Sequence, residues 1–195
     1  MTKKSTAPRR FQHEALMRYA RLLGFGHLHI KNDPQTGLYS IIAIHSTLRG
    51  PAIGGCRFLS YPTYGLAVKD VLRLAFMMTL KASISDLHHG GAKAVILKPA
   101  NLTDRKALFR SFGDFVHQMN GDYITAVDVG SSEEDMDIIA ERTPYVIGAT
   151  TAHKFDSNPS PHTAKGVLRG IQASVKHKLK RDDLEGLHIV IQGAG

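Results

Sequence analysis

Two spacings of apolar residues alternate along this chain, a helical one near 3.6 and the short unbroken or alternating runs of strands. Phe11 to Leu23 carries the helical spacing and stops at Gly24. Residues 27–31 and 38–46 read as two strands joined by the turn cluster Asn32-Asp33-Pro34-Gln35-Thr36-Gly37. The apolar run within Tyr39–His45 makes the second an interior strand. Gly50-Pro51-Ala52-Ile53-Gly54-Gly55 reads as a loop with unusual backbone angles. Val71, Leu74, Ala75 and Met78 form one stripe of a helix over 67–81. A strand over 93–97 follows, then a helix over 105–119 with Leu108, Phe112, Phe115 and Met119 on one face, then a strand over 123–129. Ser131-Ser132-Glu133-Glu134 supplies a capping box for a helix through Ala140, and Tyr145–Ile147 reads as a further short strand. After the polar, proline-rich joint at Asp156–Pro161, a helix capped by Ser160 with Pro161 in its first turn runs to about Leu179. A last apolar run, Leu187–Ile191, reads as a buried strand entering Gly193-Ala194-Gly195. No internal repeat is present.

Three polar residues interrupt this pattern. Lys81 is the next member of the Val71–Met78 stripe, where an ammonium needs a partner or a cleft. Lys93 follows Gly90 and Gly91 and opens the apolar run Ala94–Leu97. Two ammonium groups so placed point to a pocket for a small anion. Asp128 stands near the end of the 123–129 strand, where α/β sheets commonly build sites. An aspartate near two lysines has the partner that a half-buried carboxylate needs. Lysine held near a second cation or out of water suits a general base, so one lysine can clamp a carboxylate while the other exchanges protons with the aspartate.

Composition changes the picture little. The chain has 195 residues, 43% hydrophobic and 22% charged, in the ordinary range for a globular protein. No apolar run approaches the length of a membrane span. The basic segment Met1–Arg10 is not followed by an apolar one and reads as a tail rather than a signal peptide. One cysteine, Cys56, excludes an internal disulfide and fits a reducing, cytoplasmic setting. Net charge is +8, but it is dispersed and no nucleic-acid motif accompanies it, so a nucleic-acid partner is not expected. The terminal Gly-Ala-Gly matches only the opening of the dinucleotide fingerprint G-x-G-x-x-G.

Residues 37–195 resemble the glutamate/leucine/phenylalanine/valine dehydrogenases, most of all the leucine branch. The resemblance is carried by Ile41–His45, Gly50–Gly55, Asp70–Ala75, Met78–Lys81, Gly90–Ile96, Leu108–Arg110, Asn120–Ala126, Asp128–Gly130, Asp135–Ile139 and Asn158–Pro161. It implies an α/β fold, a mixed sheet flanked by helices, followed by the first helix and strand of a Rossmann-type domain that is incomplete here. The divisions expected are a tail at 1–10, a substrate-binding and oligomerisation domain at 11–148, and a hinge, helix and first strand of the NAD-binding domain at 149–195. The implied activity is reversible, NAD-dependent oxidative deamination of an L-amino acid to its 2-oxo acid and ammonia. Lys81 would bind the substrate carboxylate with backbone near Gly54. Lys93 would activate water and polarise the carbonyl, and Asp128 would shuttle protons to and from the nitrogen. Thr163 would contact the nicotinamide amide, and Gly193 and Gly195 the dinucleotide. No metal is implied.

Within that resemblance, Ile53 stands where the glutamate branch has a lysine and Ala126 where the phenylalanine branch has glycine. With Met78 they would line a pocket for leucine, isoleucine or valine. Such pockets separate substrates by only about 1–3 kcal/mol per methylene. Pro99, His88, His89 and Ile147 depart from the pattern. Because the resemblance stops at the first nucleotide-binding strand, residues 1–195 alone are expected neither to bind NAD tightly nor to turn over. A homo-oligomer is the expected state; the rival reading is a non-catalytic oligomerisation module.

Overall fold

A computed structural model describes residues 10–25, 27–150 and 160–193. The chain divides into two units, Met1–Ser157 and Asn158–Gly195. The first holds α1 (Arg10–Leu22), β1 (His27–Asp33), β2 (Leu38–Ser46), β3 (Ala52–Leu59), α2 (Tyr64–Ile84), β4 (Gly90–Leu97), α3 (Arg105–His117), β5 (Tyr123–Val127) and α4 (Glu133–Ala140). The strands form one mixed sheet in the order β1-β2-β4-β3-β5. β1, β2 and β4 pair antiparallel, whereas β3 runs parallel to both β4 and β5. Parallel neighbours need crossovers, which α2 and α3 supply.

Alternation along the strands sends two apolar sets to opposite faces. Leu38, Ile42, Cys56, Phe58, Ala94 and Ile96 pack with Leu108, Phe109, Phe112, Met136 and Ile139 of α3 and α4. Ile41, Ala43 and Val95 pack with Ala67, Val71, Leu72 and Ala75 of α2. Each fully buried aliphatic or phenyl side chain contributes roughly 1.5–3 kcal/mol of transfer free energy. The α2 face is the one that receives Lys93, Gly55 and Arg57, each an odd number of residues from a member of the first set.

Several boundaries differ from those read in the sequence. The Gly50–Gly55 segment is a loop only to Pro51; Ala52 onward is strand β3, and its two glycines serve close strand contact rather than a turn. α2 starts at Tyr64, because the Thr63 side chain accepts from the Leu66 N–H. The α4 capping box is Ser132–Asp135, one residue beyond the pair expected. Asp135 wins because its buried carboxylate also accepts from Arg105 Nε and Nη2 at 2.7 and 2.6 Å. Tyr145–Ile147 forms a single bridge, Thr125 to Val146, rather than a strand.

The second unit contains α5 (Ser160–Leu179), none of whose residues is buried. Leu187–Gln192 forms no strand, and Val190 is 82% exposed. This corrects the buried terminal strand expected there: a strand is held by ladder bonds to a neighbour, and no described residue pairs with this run. Most of the proline-rich joint lies outside the described residues. No described helix is long and apolar enough to cross a membrane.

Candidate functional site

The C-terminal half of α2 and the middle of β4 build a hollow of about 460 Å³. Its walls are Leu74, Met77, Met78, Leu80 and Ile84, and its polar groups are Lys81 and Lys93. α2 lies this close to β4 because Gly91 has no side chain; a Cβ there would stand 2.1 Å from the Thr79 nitrogen. Lys93 is buried, 5% exposed, and its Nζ is 2.9 Å from Asp128 Oδ1. Lys81 is exposed and lines the hollow, the cleft that its place in the stripe called for: its stripe leaves the core after Ala75. It has no ion-pair partner among the described residues.

Asp128 reaches Lys93 across β3. Gly55 pairs with Ala126 of β5, and the β3–β4 register carries it to the level of Lys93. A Cβ on Gly55 would stand 2.7 Å from the Val127 oxygen and 2.8 Å from Asp128 Cβ, so the glycine is what admits the aspartate. The turn after β5 is fixed by Ser131 Oγ, which accepts from the Asp128 N–H at 2.9 Å and lies 2.9 Å from the Cys56 carbonyl. Burial pushes the Cys56 thiol up to about 11, away from the thiolate.

Sequence reading missed the second cation. Arg57 Nε donates to Asp128 Oδ2 at 2.9 Å, and its Nη1 donates to Asp70 Oδ2 at 2.8 Å. Asp70 also accepts from Tyr61 Oη at 2.8 Å and from Arg73 at 3.0 Å. Burial opposes the charges of this cluster but is outweighed. Asp70 is held below its ordinary 3.8 by the donors of Tyr61, Arg73 and Arg57, and the two carboxylates bind the Arg57 proton more firmly still. The available signal was a lone arginine inside an otherwise apolar strand.

A depressed carboxylate contributes stability above its unfolded pKa and loses it as pH falls through the lower folded value. Asp70→Asn is therefore expected to be less stable than the wild type near neutrality, with the gap in Tm closing below about pH 4. Circular dichroism melts at about pH 6 and about pH 2.5 would test this, and a gap that stays constant refutes it.

The other residues singled out, Met78 excepted, lie elsewhere. Met78 lines the hollow. Ile53 and Ala126 do not: they are half-buried on β3 and β5, while the apolar walls all come from α2. Gly54 is buried in β3 and its carbonyl accepts from Tyr123 Oη at 2.7 Å. Thr163 is exposed in the first turn of α5, Gly193 is exposed in irregular chain, and Gly195 falls outside the described residues. These residues form no cradle for NAD among the described ones. No group of three described His, Cys, Asp or Glu residues is placed to hold a metal. A larger hollow of about 880 Å³ lies at the other end of α2, lined by Tyr39, Tyr61, Tyr64 and Pro99 among others. It contains neither Lys93 nor Asp128.

A family model described as the Glu/Leu/Phe/Val dehydrogenase dimerisation domain matches residues 26–145. The chain belongs to the Glu/Leu/Phe/Val dehydrogenase family. Among its members, the leucine dehydrogenase of Bacillus subtilis (strain 168) is 44% identical over 180 residues, 92% of this chain and 50% of that protein. The phenylalanine dehydrogenase of Caldalkalibacillus thermarum (strain TA2.A1) is 40% identical over 164 residues, 84% of this chain and 44% of that protein. The chain thus spans about half the length of the curated relatives it matches. The crystal structure of L-tryptophan dehydrogenase from Nostoc punctiforme superposes with a TM-score of 0.68 at 34% identity, covering 87% of this chain and 47% of that one. A hetero-hexameric glutamate dehydrogenase from Thermus thermophilus, 23% identical with a TM-score of 0.70 over 99% of this chain and 54% of that one, shares the fold.

Proposed function

We propose that this chain supplies the amino-acid-binding half of a dehydrogenase that reversibly deaminates a branched-chain aliphatic L-amino acid to its 2-oxo acid and ammonia. The observation that carries this reading is buried Lys93, 2.9 Å from half-buried Asp128, lining a hollow whose other walls are apolar except for Lys81. Leucine dehydrogenases at 42–44% identity support the substrate class. NAD is the oxidant on this reading, bound by further length such as the relatives have.

The roles follow from the charges. Exposed and with no ion-pair partner among the described residues, Lys81 is placed to take the substrate carboxylate. The aliphatic side chain then lies against Leu74, Met77, Met78, Leu80 and Ile84. Among the described residues no cation other than the two lysines lines the hollow, so a second carboxylate on the substrate would lack a partner, and such a charge is expensive. Asp128 takes a proton from the substrate ammonium, leaving the neutral amine. Once the amine has been oxidised to the iminium, Lys93 as the free amine takes a proton from the water that adds at that carbon. Asp128 gives its proton to the nitrogen and regains one from Lys93, and Lys93 takes the hydroxyl proton as ammonia leaves and the carbonyl forms beside it. A buried lysine against a carboxylate is suited to both steps.

Self-association belongs to the same reading, in line with the dimerisation-domain description of the matched family model. The test of the reading is binding. In nuclear magnetic resonance titrations, the 2-oxo acid of leucine is expected to shift signals of Lys81 and Lys93, and 2-oxoglutarate to do so at least about tenfold more weakly. Equal binding of the two acids, or shifts confined to other residues, would overturn it.

A further inference from the structure

The geometry points to Arg57 as a positioning residue that pins one oxygen of Asp128, so that proton exchange with Lys93 and the substrate amine runs through the other. This rests on the deaminase reading of the site.

The two carboxylate oxygens of Asp128 have different partners. Oδ2 accepts from Arg57 Nε at 2.9 Å, and Oδ1 lies 2.9 Å from Lys93 Nζ. The two donors are not equivalent. A guanidinium does not give up its proton in a protein, whereas an ammonium can. A proton arriving on Oδ2 would face an N–H that cannot leave. One arriving on Oδ1 meets a lysine able to exchange it. Arg57 thus makes the carboxylate one-sided.

Arg57 is itself held. Its Nη1 donates to Asp70, which also binds Tyr61 and Arg73. The Arg57 and Asp70 side chains are 19% and 17% exposed, so solvent screens them only in part. The charged groups around Asp128 are therefore Lys93 from β4, Arg57 from β3 and, behind Arg57, Asp70 and Arg73 from α2. In this arrangement Asp70 draws off part of the Arg57 charge that Asp128 and Lys93 would otherwise feel.

Two substitutions then act with opposite sign on Lys93. Arg57→Gln removes a cation, so Lys93 holds its proton more firmly and presents less free amine. Asp70→Asn removes an anion from behind Arg57, with the reverse effect. A purely structural role would loosen the site in both variants and expose Lys93 in both.

The experiment measures acylation of Lys93 by a water-soluble amine reagent at fixed pH on this full chain, read by peptide mass spectrometry. Relative to wild type, R57Q is expected to slow Lys93 acylation about three- to tenfold and D70N to speed it about threefold, on the scale of half to one pH unit per neighbouring charge. R57K, which keeps the charge, is expected to stay within about twofold of wild type. Should R57Q fail to fold, faster acylation in D70N beside unchanged D70E and R57K, each of which keeps its charge, carries the same test. Movement of R57Q and D70N in the same direction, or no movement in either, overturns the inference. Addition of the 2-oxo acid of leucine separates the two levels. If it fails to protect Lys93 in the wild type, the deaminase reading is lost. If it protects while the variants move together, only the role of Arg57 is lost.

Discussion

Replacing Gly54 with alanine is expected to destabilise the first unit by about 3 kcal/mol or more and to lower its Tm by about 10 °C. The added Cβ would stand 1.8 Å from the Ala92 carbonyl oxygen, 2.4 Å from its carbon and 2.9 Å from the Lys93 nitrogen. These are backbone atoms of the central strand, with no rotamer to change. β3 cannot retreat, because it is paired on both sides, to β4 and to β5. The Gly54 carbonyl also accepts from fully buried Tyr123, so moving β3 would strand that hydroxyl. Gly166→Ala is the control: its Cβ would meet nothing within 4 Å on α5, and alanine there is expected to be neutral or mildly stabilising. Circular dichroism melts of the two variants decide the matter; a G54A protein melting within about 2 °C of wild type would show that the strands can part at low cost.

Gly54 also marks the limit of what local patterning conveys. Periodicity located α2, β2 and α3 because their burial repeats within one element. It read Gly50–Gly55 as a loop because two adjacent glycines carry no apolar signature, and what they serve lies on distant strands: Gly54 admits the backbone at Ala92 and Gly55 that at Val127. The terminal run Leu187–Ile191 failed for the opposite reason. Its composition is that of a buried strand, but strand formation belongs to a pair, and no described residue pairs with it. The site divides in the same way. Lys81, Lys93 and Asp128 each disturbed a local pattern and so drew notice. Arg57 was overlooked because its meaning lies in carboxylates 13 and 71 positions away. Ile53 and Ala126 were assigned to the pocket from resemblance, yet the apolar walls of the hollow come from α2.

The largest functional effect is expected from Asp128→Asn, a change of one atom that leaves the shape of the site intact. The asparagine carbonyl can still accept from Arg57 Nε, where the carboxylate now accepts at 2.9 Å. That choice turns the amide NH₂ towards Lys93, so a donor faces a donor where the wild type has a 2.9 Å ion pair. The amide also takes no proton near neutrality. On the proposed roles, the substrate ammonium then loses its base, while Lys81 still holds the carboxylate. With this chain joined to the C-terminal half of the Bacillus subtilis leucine dehydrogenase, kcat for L-leucine is expected to fall about 10²–10⁴-fold with KM within about threefold of the unmutated chimera. Such a split locates the loss in proton transfer rather than in binding. A variant that keeps more than about a tenth of the reference kcat would mean that Asp128 orders the strand end and does no chemistry. Raised KM with kcat preserved would instead make the aspartate part of substrate binding, and Lys93 would need another acceptor for its proton.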